Sequence, residues 1–358
     1  MALSGNLNGP VYVSHGVRKN FVMMTSQLRA GLAYLKSRLS PRHGTPQTKA
    51  PDIGGYELLS RIGEGGMGEV WVARHLRLGR PVAIKMIRPD LLARDTRSHE
   101  TAIARFEREA TATAALSSPH TVAIHDFGVT PDGAFYYVME LLEGLSLDTL
   151  VRRFGPIAPP RTVELIRQVC HSLGEAHASG LIHRDIKPAN IFVCRLGLDF
   201  DFVKVLDFGL VKQSVNSDLT PVSVEGMTAG TPAYMAPEVA MGAATIDGRA
   251  DIYALGCVAY WMLTGQEVFA EPTQMATLLA HVESTPVPPS ARTEVRIPAP
   301  LEAAIMACLS KSPADRPSAA ELDRRLASCE ACGSWTADSA RAWWNVNHLP
   351  AGISFSHS

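Results

Sequence analysis

The sequence lacks any continuous apolar run of the roughly 20 residues that a helix needs to cross a bilayer. We therefore expect no integral membrane segment. The net charge is only −1 at pH 7, so no basic surface for nucleic acid is indicated either. Cysteine is sparse, with six residues scattered over 358. This usage predicts reduced thiols and a cytoplasmic protein, and argues against a disulfide framework.

The first fifty residues contain no Asp or Glu, although seven Lys and Arg occur there. The apolar spacing from residue 20 to residue 39 allows a basic amphipathic helix, which is typical of a membrane-surface contact, an acidic-surface contact or a targeting peptide. The apolar content is modest and no small-residue cleavage site follows. A flexible basic extension is therefore the stronger interpretation of residues 1–50. Pro41 to Gly55, rich in Pro, Gly, Thr and Lys, is predicted to be a linker.

Two acidic motifs stand out in the middle of the chain, at residues 183–190 (HRDIKPAN) and 207–209 (DFG). One carboxylate, at Asp185, is suited to orient an attacking hydroxyl and accept its proton. The amide oxygen of Asn190 and the carboxylate of Asp207 are hard oxygen ligands of the kind that magnesium on a triphosphate requires. Together the two motifs indicate phosphoryl transfer.

Three further motifs lie around this pair in a fixed order, at residues 63–70 (GEGGMGEV), 82–85 (VAIK) and 236–238 (APE). A glycine-rich turn also occurs in dinucleotide-binding folds, where a helix follows it. Here the pattern predicts strands at 56–59, 69–73 and 81–87, so the glycines lie in a hairpin. The probability that five such motifs occur in this order by chance is negligible.

On these motifs the chain resembles the eukaryotic-like protein kinase family, in its bacterial serine/threonine branch, from about Tyr56 to about Ser328. The resemblance implies an α+β, bilobal protein kinase fold. A small antiparallel-sheet N-lobe with one main helix would cover about 56–140, and a mostly helical C-lobe about 143–328. The catalytic domain would then be residues 51–328, and residues 329–358 would form a short C-terminal tail.

The resemblance also implies roles for individual residues. Asp185 would align the substrate hydroxyl, and Lys187 would neutralise charge near the γ-phosphate. Asn190 and Asp207 would hold the magnesium ions. Lys85 would bind the α- and β-phosphates of ATP. The remaining positions implied for nucleotide binding are Ile62, Gly63, Gly65, Gly68, Val70, Ala83, Glu109, Met139, Glu140 and Leu142.

Three of these nucleotide-site positions lie at the end of a predicted buried strand at 135–139 or directly after it. Met139 would limit the back of the adenine pocket, and the backbone of Glu140 and Leu142 would bond adenine. Met139 is equally well described as a core methionine, and the two interpretations are compatible because a pocket wall is also core.

Lys85 lies in an apolar strand and needs an anionic partner, since an unpaired buried ammonium is costly. The resemblance implies Glu109, in the helix that follows. Glu107 is the competing carboxylate, but two residues apart on a helix the side chains point about 200° apart, so only one of them faces inward. We expect Glu109 to be that residue.

The segment from Asp207 to Glu238 matches the activation segment of the family. Arg184 would pair with a phosphate carried there. Ser223 and Thr228 are the leading acceptor candidates, and Thr231 matches the threonine that supports hydroxyl-amino-acid specificity.

The remaining expectations concern structure in the C-lobe and tail. Glu238 and Arg316 are expected to form a buried bidentate ion pair. Cys329 and Cys332 form a CxxC that suits half a zinc site or a redox pair, but incidental cysteines are preferred because no second CxxC exists. The three tail tryptophans, which are expected to anchor a short helix onto the catalytic domain, are Trp335, Trp343 and Trp344.

The function that these motifs imply is ATP- and Mg²⁺-dependent phosphorylation of serine and threonine in protein substrates, activated by phosphorylation of the activation segment. A dimer is compatible with the sequence. The alternative from another class is a nucleotide-binding pseudokinase that acts as a scaffold. The presence of Lys85, Asp185, Asn190 and Asp207 favours the enzyme, because pseudokinases usually lack at least one of them.

Overall fold

A computed structural model describes residues 53–65, 68–87, 104, 107–131, 133–208 and 232–347. All of these belong to the second of the two units into which the chain divides, Asp52–Ser358. The basic extension, with its candidate helix at 20–39, lies outside the described residues. The candidate phosphorylation sites Ser223 and Thr228, and Thr231, lie outside them as well.

The N-lobe contains a five-stranded antiparallel sheet with strand order β1-β2-β3-β5-β4. The first two strands form the hairpin that the glycine-rich motif predicts. The N-lobe helix, α1, includes residues 107–114. The strands are β1 (Tyr56–Gly65), β2 (Gly68–His75), β3 (Pro81–Ile87), β4 (Ile124–Val129) and β5 (Phe135–Glu140).

Strands β3 and β5 are almost continuously apolar because both faces of the sheet are covered. Side chains alternate between the two faces with period two. On one face, Ala83 and Ile87 pack with Phe135, Tyr137 and Met139. The opposite face is packed by Val82, Ile84, Met86 and Val138, together with Ile53, which comes from the predicted linker. Register pairs Ala83 with Met139 and Lys85 with Tyr137.

The C-lobe is mostly helical and is built around α5 (Arg249–Thr264), in which every residue from Ala250 onward is buried. A second, three-stranded antiparallel sheet of β6 (Glu143–Ser146), β7 (Ile191–Leu196) and β8 (Asp199–Val205) adjoins it. The other helices are α2 (Leu147–Phe154), α3 (Pro159–Ala178), α4 (Pro237–Ala240), α6 (Gln274–Glu283), α7 (Ala299–Cys308) and α8 (Ala319–Ala327). The two lobes confirm the predicted bilobal α+β fold.

The C-terminal tail returns to the C-lobe as α9 (Ala337–Asn347), and Trp344 on this helix is buried. The predicted anchoring by tryptophan is therefore confirmed. The expectation that all cysteines are reduced is wrong, because Cys329 and Cys332 form a disulfide. A 3₁₀ turn at Glu330–Cys332 brings their Cα atoms to 5.5 Å, within bonding range. The other four cysteines are free and buried.

Within the described parts of the chain, every helix is too short or too polar to pass through a lipid bilayer.

Candidate active site

The loop at residues 183–190 is held by a buried carboxylate of the central helix α5. Asp251 accepts hydrogen bonds from the backbone N–H groups of His183 and Arg184, both at 2.8 Å. It also bonds the His177 ring at 2.8 Å. Arg184 is held at a φ of 62°, a value that few non-glycine residues adopt. Asp251 therefore fixes the turn that precedes Asp185.

Asp185, Lys187 and Asn190 come together as the motif predicts. The Lys187 ammonium lies 2.9 Å from Asp185 Oδ2. The Asn190 amide nitrogen donates to the Asp185 backbone oxygen at 2.8 Å and to Oδ2 at 3.0 Å. Because its nitrogen is used in this way, the oxygen of the Asn190 amide is the group that remains suited to ligate a cation.

Asp207 lies two residues beyond the end of β8, beside this loop. The Leu206 N–H donates to the Asn190 carbonyl at 2.8 Å, and the His183 ring bonds the Leu206 carbonyl at 2.8 Å. His183 is fully buried and packs against Phe208, with 4.6 Å between ring centroids. His183 thus braces the loop and brings the Asp207 backbone next to Asn190.

Both carboxylate oxygens of Asp207 are engaged by the N-lobe sheet. Oδ2 lies 2.6 Å from the Lys85 ammonium. Oδ1 accepts a hydrogen bond from the Tyr137 hydroxyl. The anionic partner that Lys85 was predicted to need is therefore Asp207. The pairing of Lys85 with Glu109 stays a prediction.

The electrostatics of this cluster favour a charged Asp207 and a neutral Tyr137. Burial acts to raise the pKa of Asp207, but Lys85 and the hydrogen bond from Tyr137 outweigh it and lower that pKa below its ordinary value. Burial, together with the Asp207 charge, raises the pKa of Tyr137 well above its ordinary value. An anionic oxygen ligand is thus maintained at neutral pH, as a magnesium site requires.

The predicted adenine pocket has an apolar wall beneath the sheet. Met139 is 8% exposed and packs in one cluster with Ala83, Val70, Leu141 and Leu206. This cluster contains three of the residues that the resemblance implied. Ile62 lies in β1 and is 52% exposed, so it does not belong to the packed wall.

The segment that joins the lobes is held by hydrogen bonds at its first residue, Glu140. The Glu140 N–H donates to the Ala123 carbonyl at 3.1 Å, so the contact that its backbone can offer to a base is its carbonyl. The Glu140 carboxylate lies 2.7 Å from the Lys204 ammonium and accepts from the Ala123 N–H at 2.8 Å. Leu142, two residues later, is half-buried.

Gly68 has a structural reason to be glycine that the motif did not reveal. Its φ is +146°, and an added Cβ would lie 1.8 Å from the Met86 carbonyl oxygen on the neighbouring strand. No side chain can be accommodated at that distance. An added Cβ at Gly63 or Gly65 would meet no such clash. The backbone at both positions therefore has room for a phosphate to approach.

The choice between the two carboxylates of α1 is decided by burial. Glu109 is 9% exposed, whereas Glu107 is exposed. Glu109 therefore faces the interior, as expected.

The predicted pair of Glu238 and Arg316 is confirmed as a buried bidentate contact, with N–O distances of 2.7 and 2.8 Å. It fixes the end of the activation segment to the C-lobe.

Sequence reasoning missed two functional positions. Tyr137 falls in the strand predicted at 135–139 with no role of its own, and no role was predicted for Asp251. A signal existed for each of them, because a tyrosine hydroxyl or a carboxylate inside an apolar segment needs a hydrogen-bond partner.

Comparison with known proteins agrees with this geometry. The protein kinase domain family matches residues 56–325. Serine/threonine-protein kinase pkn3 of Myxococcus xanthus is 41% identical over 268 residues, which cover 74% of this chain and 48% of pkn3. Serine/threonine-protein kinase PknB of Mycobacterium tuberculosis is 42% identical over 264 residues, which cover 73% of this chain and 40% of PknB.

Solved structures show the same similarity. The Mycobacterium tuberculosis PknI kinase domain has a TM-score of 0.59 and 26% identity, covering 82% of this chain and all of that one. Rad53 residues 1–466 in complex with AMP-PNP has a TM-score of 0.61 and 25% identity, covering 76% of this chain and 64% of that one. The chain spans less than half the length of the two curated relatives. The chain belongs to the protein kinase family, in its bacterial-type serine/threonine branch.

Proposed function

We propose that this chain transfers the γ-phosphoryl group of ATP to serine and threonine hydroxyls of protein substrates. The observation that carries the proposal is the placement of Asp185, Lys187 and Asn190 in one loop, beside a charged Asp207 that is paired with Lys85. The named relatives are serine/threonine-protein kinases, which supports the same acceptor class.

Asp185 acts as the acceptor for the hydroxyl proton. Its carboxylate is suited to align the attacking oxygen, because the loop that carries it is fixed by Asp251 and by the Asn190 amide. Lys187, at 2.9 Å from Asp185, neutralises negative charge that gathers on the transferred group. The substrate hydroxyl therefore needs only to be positioned, since phosphoryl transfer demands little covalent chemistry from the protein.

Asp207 and the amide oxygen of Asn190 are proposed to hold Mg²⁺, and their hard oxygen donors fit that ion. The ion would supply charge neutralisation on the triphosphate. Lys85 would leave Asp207 for the α- and β-phosphates when nucleotide binds. The adenine would lie against Val70, Ala83 and Met139.

The further nucleotide contacts proposed for Ile62, Gly63, Gly65, Gly68, Glu109, Glu140 and Leu142 follow the family pattern. Activation by phosphorylation at Ser223 or Thr228, with Arg184 as the phosphate partner, is part of the same proposal. A cytoplasmic location and a dimer stay predictions.

The test compares the wild-type chain with Asp185→Asn in transfer of labelled phosphate from ATP to a generic basic protein. We expect the rate to fall by about 100-fold or more, because a positioned proton acceptor contributes at least that much. Binding of a non-hydrolysable ATP analogue is the control and should be retained, since Asp185 does not contact the base. Equal labelling by both proteins would contradict the assignment, and nucleotide binding without transfer by the wild type would favour a scaffold.

A further inference from the structure

A buried tyrosine of the N-lobe sheet contacts the proposed metal ligand of the C-lobe. Tyr137 is 2% exposed and pairs in register with Lys85 on β3 and with Phe127 on β4. Its ring packs between Phe135 and Met139 on the face that lines the proposed adenine pocket. A hydroxyl at such a depth must find a partner, and it finds Asp207 Oδ1.

The two side chains that hold Asp207 differ in charge and in freedom. Lys85 is a cation on a flexible stem, and a divalent ion arriving at Asp207 would repel it towards the phosphates. Tyr137 is a neutral donor whose ring is fixed inside the sheet. A carboxylate has about four lone-pair sites, so Asp207 can accept from the phenol and ligate a cation at the same time. The hydrogen bond from Tyr137 therefore does not have to break when the metal binds.

We propose that Tyr137 is a positioning residue for the metal site, holding the Asp207 carboxylate in the orientation in which it ligates Mg²⁺. This rests on the proposed role of Asp207 as a magnesium ligand. A ligand carboxylate fixed by a rigid donor binds metal more tightly than one free to rotate. Asp207 lies two residues beyond the end of β8, and its backbone has a φ of 58°, in the left-handed region that few non-glycine residues adopt.

The experiment measures binding of a non-hydrolysable ATP analogue while MgCl₂ is titrated. Tyr137→Phe keeps the ring in the core and removes only the hydroxyl. We expect it to raise the Mg²⁺ concentration at half-saturation by about tenfold, the lower end of the effect seen for partners of metal ligands. Without metal, the affinity of Tyr137→Phe for the analogue should stay within about twofold of that of the wild type. A general loss of packing would instead weaken binding of the analogue with and without metal.

Tyr136→Phe is the matched control, because it removes a hydroxyl from the neighbouring residue on the opposite face of β5. It should leave the magnesium midpoint unchanged. Should Tyr137→Phe fail to fold, as judged by its temperature midpoint of unfolding, Tyr137→Met removes the hydroxyl and leaves a flexible apolar side chain in the same cluster. It is expected to raise the Mg²⁺ concentration at half-saturation in the same way.

The outcomes separate this inference from the proposed function. If the wild type binds the analogue equally with and without Mg²⁺, and Asp207→Asn changes nothing, the proposed magnesium site fails. If the wild type depends on Mg²⁺ but Tyr137→Phe has the wild-type midpoint or a lower one, the role of Tyr137 is overturned while the proposed function stands.

Discussion

Single buried side chains, each bonded several times, hold the candidate active site in place. Asp251 fixes two backbone N–H groups of the catalytic loop, and Arg316 reaches Glu238 together with three backbone carbonyls. Neither residue touches the expected substrate. Their effect on activity is through the position of the loop and of the activation segment's end, and both contacts are charged hydrogen bonds in the interior.

Replacing Arg316 by leucine should destabilise the protein by about 3–5 kcal/mol, since it leaves the buried Glu238 carboxylate without its ion-pair partner. The free energy of unfolding from urea titration measures this. The double variant Glu238→Leu/Arg316→Leu should be more stable than Arg316→Leu alone, because no buried charge is left uncompensated. A double variant that loses the sum of the two single losses would show that the pair is not coupled.

At this scale the sequence predicts the chemistry-bearing residues well and their partners less well. Asp185, Asn190 and Asp207 stand in motifs with fixed spacing, and Glu238 could be paired with Arg316 by resemblance. Tyr137 could not be placed, because its partner is 70 residues away and only the packing of the sheet over the C-lobe brings the two together.

The elements of the C-lobe are joined to the tail through one buried carboxylate. Asp201 in β8 makes a bidentate ion pair with Arg161 of α3, at 2.8 and 2.7 Å. The indole N–H of Trp335 donates to one oxygen at 2.8 Å, and that of Trp344 to the other at 2.7 Å. The Arg161 guanidinium also lies 3.8 Å from the ring centroid of Trp343. The tail helix α9 is thus part of the C-lobe core.

Changing Trp344 to phenylalanine should cost about 1.5–3 kcal/mol of stability, the range for a lost hydrogen bond to a charged group. Phenylalanine keeps an aromatic ring at this position but lacks the fused five-membered ring, so lost packing adds to the lost indole N–H. Val346→Ala is the control on the same helix, because Val346 is 76% exposed, and it should be near neutral. The free energy of unfolding of both variants is measured by chemical unfolding, monitored by far-UV signals that do not depend on tryptophan. Equal stability of Trp344→Phe and Val346→Ala would contradict the role of Trp344 in docking the tail.

Elements with a strong apolar pattern were predictable, and those defined by tertiary pairing were not. The strands at 81–87 and 135–140 follow short apolar runs that are visible in the sequence. The helix at 159–178 follows a helical apolar periodicity that is visible there as well. Strands β7 and β8 were not predicted. They pair across a turn at Gly197, and β8 packs against α3 and the tail helix α9. The disulfide was missed for a related reason, since the CxxC spacing alone does not distinguish a bond from incidental cysteines.

For the whole molecule, a histidine kept neutral in the interior links folding to pH. His281 in α6 is fully buried and bonds the Tyr253 hydroxyl at 2.8 Å. Burial, with the nearby Lys311 charge, lowers its pKa to about 4. Below the ordinary histidine pKa the unfolded chain binds a proton that the folded protein does not, so this group makes stability fall as pH falls from about 6.5 to about 4.

Through His281 the free energy of unfolding at pH 5 should be on the order of 2 kcal/mol lower than at pH 7. Because other groups also titrate, the informative quantity is the difference between the wild type and His281→Asn. We expect the variant to be less stable at pH 7 and to lose less stability between pH 7 and pH 5 by roughly that amount. Parallel pH profiles of the two unfolding free energies would rule out the contribution of His281.

We propose that this chain binds ATP and delivers its γ-phosphoryl group to serine or threonine. Mass spectrometry of the purified protein and a basic acceptor protein after incubation with ATP and Mg²⁺ tests it directly. We expect phosphoserine and phosphothreonine in the wild-type reaction, including at Ser223 or Thr228, and their near absence with Asp185→Asn. Bound nucleotide with no phosphorylated residue on either protein, or equal modification by Asp185→Asn, would contradict it.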